Sequence, residues 1–118
     1  MAEPCRMILD TDPGIDDAMA ILFALRRPGI RLEALTTVFG NTDVDTATVN
    51  ALRILELAGR SDIPVGIGQN QGPMPEERRN MAPWLAGYDL AKYPGQVHVD
   101  GIGALIELVM KFCRISRV

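Results

Sequence analysis

Three short apolar runs, each followed by a turn signal, constrain this chain more than any other feature. Residues 6–10 (RMILD), 31–39 (RLEALTTVF) and 63–67 (IPVGI) read as strands: they are brief, apolar and, in the second, rich in β-branched residues. Two helical stripes separate them. Ala18, Ile21, Leu22 and Leu25 recur at helical spacing, and Arg26-Arg27-Pro28-Gly29 ends that helix. Val44, Ala47, Ala51, Leu55 and Ala58 mark a second helix, begun by Thr42 or Asp43 and running to about Gly59. Strands that alternate with helices imply right-handed crossovers in a parallel sheet, hence an α/β fold.

Residues 68–103 break the pattern with Gly, Pro, Asn and Gln. A structureless stretch of that length is uncommon in a compact domain unless it covers a site. Trp84, Tyr88 and Tyr93 lie in it and are read as packing the loop onto the body. An apolar helix returns at 104–112, and CRISRV follows where another core strand is due. The expected architecture is therefore an incomplete, mainly parallel sheet with flanking helices and an exposed apolar edge.

The chemistry concentrates just after the first strand. DTDPGIDDAMA (residues 10–20) places Asp10, Asp12, Asp16 and Asp17 within eight positions. Like charges this close repel, and desolvation worsens the repulsion. Asp16 or Asp17 can cap the following helix, which accounts for one acid but not four. A hard divalent cation would resolve the rest, because calcium and magnesium take oxygen ligands. The spacing is not that of an EF-hand loop. Open parallel sheets hold ligands at the carboxyl ends of their strands, and Asn41 occupies the equivalent place after the second strand.

Other classes fit poorly. Hydrophobic residues make up 47% of the 118, enough for a packed core, and the net charge of −3 is modest. No basic stretch suggests nucleic acid, and no apolar run approaches the roughly 20 residues of a membrane helix. The start lacks the features of a signal peptide, so the expected compartment is the cytoplasm. Cys5 and Cys113 match no metal spacing and read as free thiols. Two chemistries suit a strand ending in Asp-Thr-Asp beside a cation. One is a haloacid-dehalogenase-like phosphatase with Asp10 as nucleophile, although Pro13-Gly14-Ile15 departs from that motif. The other is hydrolysis by a metal-activated water.

DTDPGIDDAMAI closely resembles the amino-terminal signature of the inosine/uridine-preferring nucleoside hydrolases. The likeness continues through LEALTTVFGN (32–41), the helix containing Asn50, IPVGIG (63–68) and, weakly, LIELVMK (105–111). It implies an α/β fold, a bound calcium ion, and cleavage of the N-glycosidic bond of a ribonucleoside to ribose and free base. Carried over by position, Asp12, Asp16 and Asp17 would bind calcium, and Asp12 would be the base that takes a proton from the calcium-bound water. Asp16 and Asn41 would contact the ribose hydroxyls or position that water, with Asp10 in support. His98 is followed by Val99 where the family often has glycine, so it reads as a solvent-facing loop residue. The resemblance makes residues 1–118 a single partial domain, family-like over about 6–112 with a divergent tail at 113–118. Lacking the family's downstream ligands, the chain alone is expected to be an incomplete enzyme. A non-catalytic calcium-binding or interaction fragment is the remaining alternative. Family members are usually dimers or tetramers, so the resemblance leaves a homo-oligomer open, while the interaction-fragment alternative would pair the chain with a complete homologue through its exposed sheet edge.

Overall fold

A computed structural model describes residues 3–40, 42–69 and 90–113. The elements are β1 (Cys5–Thr11), α1 (Ile15–Arg26), β2 (Ile30–Thr37), α2 (Val44–Leu57), β3 (Val65–Ile67), a 3-10 turn at Leu90–Lys92, β4 (Val97–His98) and α3 (Gly101–Cys113). The four strands form one sheet in the order β1-β2-β3-β4, and every pairing is parallel. Each crossover steps to the neighbouring strand.

Alternation along the strands divides the sheet into two faces. Leu9, Leu35 and Val65 align across it and meet Ile21 of α1 and Ala51, Leu52 and Leu55 of α2 in one core. Asp10, Thr36, Gly66 and His98 align on the other face, where α3 packs. The approach there is close: a Cβ on Gly66 would lie 2.8 Å from the Gly101 Cα, so only glycine suits the crossing.

A bulge explains one irregularity of β2. Met7 pairs with Leu32 and Ile8 with Ala34, leaving Glu33 as the extra residue. Leu32 and Leu35 both reach the same core in spite of their odd spacing. Glu33 instead receives Arg6 at 2.7 Å and Arg31 at 3.0 Å.

Several boundaries differ from the sequence reading. The third strand is only Val65–Ile67, because Pro64 has no N–H to give a ladder; Ile63 is buried in the core instead. A fourth strand, Val97–His98, lies within the stretch read as structureless; two residues carry no periodicity to detect. His98 is exposed as expected, but on that strand rather than a loop. The last helix starts at Gly101, three residues early, where the Asp100 carboxylate accepts the Gly103 N–H at 2.9 Å. In α1 the buried positions are Ile21 and Ala24, whereas Leu22 faces outward. Tyr93 packs into the core; Trp84 and Tyr88 lie outside the described residues. Cys5 is a free, exposed thiol.

Asp43 begins α2 by accepting the Thr46 N–H at 2.8 Å. Losing such a cap costs ~1 kcal/mol, so Asp43→Ala should lower the urea midpoint accordingly with the denaturant slope unchanged. Deeper in, Thr48 donates to the Val44 carbonyl at 2.7 Å, and its hydroxyl meets that of Thr37 at 2.8 Å. This buried ladder fixes the carboxyl end of β2 against α2, beside the turn that leaves β1.

Candidate active site at the carboxyl end of β1

The four acids do not form one cluster. Asp10 is the last but one residue of β1 and points to the α3 face, where its carboxylate accepts the Thr36 hydroxyl at 2.6 Å. There it helps line a cleft of about 280 Å³ with Val38, Phe39, Gly68 and Ile102. Asp12 follows the strand and packs against the Gly40 backbone, so that a Cβ on Gly40 would collide with the Asp12 carboxylate. A side chain at position 40 would displace the Asp12 carboxylate from this place.

Asp16 and Asp17 are not the caps the sequence suggested. Gly14 occupies the N-cap position of α1 with no side-chain hydrogen bond, and both acids stand in the first helical turn. Their charge still suits the positive end of the helix dipole. Asp17 turns back toward the strand. Burial raises its pKa above the ordinary 3.8, and a hydrogen bond with Asp12 raises it further; the Thr11 hydroxyl opposes this, while the charges of Asp12 and Asp16 add to it.

Two carboxylates close enough to perturb each other repel when both are ionised, and a proton or a cation between them relieves the repulsion. The Asp12–Asp17 pair is therefore a hard-oxygen donor set suited to a divalent cation. Asp16 is exposed, and among the described residues no three His, Cys, Asp or Glu side chains gather closely enough to hold a metal ion. The structure thus brings two of the three expected ligands together. Asn41 lies outside the described residues, directly after Gly40 in sequence.

The pair has a measurable consequence without any cation. A carboxyl whose pKa rises on folding stabilises the protein below its unfolded value and loses that contribution as pH climbs through the folded value. Asp17→Asn should therefore melt higher than the wild type at pH 7 in chelator. The gap should close as pH falls below 3.8, the ordinary value; a gap independent of pH would contradict the shared environment of the pair.

Two supporting residues were not singled out from sequence as part of the site. Thr11 is buried at the end of β1 and serves Asp17. Asn50 is buried on α2, and its Nδ2 donates to the Pro13 carbonyl at 2.9 Å. A polar amide among the apolar positions of α2 is the signal that marks Asn50; nothing in the sequence marks Thr11.

A parallel α/β sheet with paired acids at the carboxyl end of a strand belongs to the class of open sheets whose ligand crevices lie at that end. Comparison with known proteins narrows this. The inosine-uridine preferring nucleoside hydrolase model matches residues 7–108, and the chain belongs to that family. It is 48% identical to the probable uridine nucleosidase 2 of Arabidopsis thaliana over 71% of this chain and 26% of the relative. It is 44% identical to the probable uridine nucleosidase 1 of Oryza sativa subsp. japonica over 92% of this chain and 41% of the relative. Among solved structures, an inosine-guanosine nucleoside hydrolase aligns with a TM-score of 0.65 at 28% identity, covering 89% of this chain and 34% of that one. The plant nucleoside hydrolase PpNRh1 aligns at 0.55 and 53% identity over 61% of this chain and 25% of that one. The chain thus spans well under half the length of these relatives. Membership decides against the phosphatase alternative. Among the described residues no helix is long and apolar enough to cross a membrane.

Proposed function

We propose that this chain carries the acid half of a site that hydrolyses the N-glycosidic bond of a ribonucleoside. The observation that supports this most is the Asp12–Asp17 carboxyl pair at the carboxyl end of β1, in a chain of this family. Asp12 and Asp17 would hold a divalent cation, with Asp16 and Asn41 joining them or reaching the ribose hydroxyls. On the family resemblance the cation is calcium, and when bound it would polarise a water and the ribose diol together.

The chain's own groups account for the proton and charge. A water oxygen bonds to C1′ as the bond from C1′ to the base nitrogen breaks, and the electron pair leaves with the base. Asp12 accepts the proton that the water loses. Positive charge gathers on the sugar as the base departs, and the carboxylates of the turn stabilise it. Gly40 keeps room for Asp12 at this position, and Thr11 orients Asp17. Several relatives are named uridine nucleosidases, which makes uridine the first substrate to test and inosine the second.

Because the chain spans part of its relatives, the test grafts residues 7–108 in place of the matching segment of the Leishmania major inosine-uridine preferring nucleoside hydrolase. The hybrid should release ribose from uridine or inosine in calcium and no phosphate from a phosphomonoester. A folded hybrid that cleaves neither nucleoside would refute the reading.

A further inference from the structure

Asn50 sits on α2, 37 residues from the turn it touches, and none of its surface reaches solvent. Its helix neighbours Ala47, Ala51 and Ile54 are buried and apolar. An amide in such a place is unfavourable unless hydrogen-bonded. Its Nδ2 donates to the Pro13 carbonyl at 2.9 Å. The reverse orientation would set two acceptor oxygens against each other, so the donor is assigned by its partner. Its Oδ1 is buried and has no hydrogen-bond partner among the described residues. An apolar side chain of similar volume would avoid that orphaned acceptor but would leave the Pro13 carbonyl without its donor, so the asparagine is explained by the turn it holds rather than by packing.

The hydrogen bond itself offers an explanation. Pro13 is fully buried and has no N–H, so its carbonyl is the only backbone polar group it can anchor by. Asp12 precedes it. Gly14 follows and accepts the Ala18 N–H at 3.0 Å, opening the helix that carries Asp17. Holding the Pro13 carbonyl from α2 therefore sets the angle between the strand end and the first turn of α1, and with it the spacing of the two carboxylates.

We propose that Asn50 is a positioning residue for the Asp12–Asp17 pair, pinning the acid turn to α2 through the Pro13 carbonyl. The proposal rests on reading that pair as a cation site, and its test separates the two. Asn50→Leu and Asn50→Ala remove the donor; Ile54→Val weakens the same helix without touching the turn. Each is made in the 118-residue chain. Calcium chloride is titrated by calorimetry, urea stability is measured in chelator, and amide exchange is followed through residues 14–18.

Both Asn50 variants should lose roughly 10-fold or more in calcium affinity, as disturbed supporting residues of metal sites do. Amides 14–18 should exchange faster relative to those of α2. Asn50→Leu should be less stable than the wild type without calcium, because it leaves the Pro13 carbonyl without its donor, and Ile54→Val should bind calcium like the wild type. Equal affinity losses in Asn50→Leu and Ile54→Val would overturn the proposal. So would unchanged exchange at 14–18, or an Asn50→Leu chain that does not fold. If the wild type takes up no calcium, the cation reading falls, and the exchange data alone decide whether Asn50 pins the turn.

Discussion

Asp12→Asn should slow nucleoside cleavage by the hybrid enzyme by about 100- to 10,000-fold, the range by which a positioned general base accelerates a reaction. Asparagine matches aspartate in shape, so it still packs against Gly40, but it cannot accept the proton of the attacking water. It also removes one of the two paired charges. The two losses separate in a calcium titration of rate: charge loss raises the calcium concentration needed, while base loss lowers the rate at saturating calcium. A variant restored to full rate by excess calcium would show that Asp12 only binds the ion. A variant with unchanged rate at every calcium concentration would remove Asp12 from the site.

Calcium should stabilise the chain, and by more at pH 7 than in acid. A ligand at 100 times its dissociation constant that binds only the folded state adds about 2.7 kcal/mol. Without the ion, Asp17 is better accommodated protonated, so its contribution grows as pH falls. With the ion, both carboxylates must be ionised, and the added stability is present at pH 7 and lost as pH falls into the carboxylate range. Thermal melts from pH 7 to pH 3.5 should therefore show a gap between calcium chloride and chelator that is widest at pH 7 and closes as pH falls. Parallel curves would mean that no ion sits between these acids.

The sequence made the alternation of elements legible because β1, β2 and α2 carry strong apolar patterns. It made the acid turn legible because four aspartates after a strand have few bland explanations. What it hid depends on tertiary packing. The bulge at Glu33 lets Leu32 and Leu35 share a core, which no strict alternation would suggest. β4 is two residues long and is defined only by its neighbour β3. The division of the acids was also hidden: strand alternation turns Asp10 to Thr36 on the α3 face, while Asp12 meets Asp17 across a turn. Neighbouring acids in sequence thus serve different faces. Asn50 entered the sequence reading only within a family-like helix, and its partner became visible when the fold placed it under Pro13.

The most direct measurement is a calorimetric titration of calcium chloride into this chain, beside its Asp12→Asn and Asp17→Asn variants. One binding event per chain in the wild type, weakened or lost in both variants, is the predicted result. No binding in the wild type, or equal binding in all three, would contradict the assignment of the paired acids as the cation site.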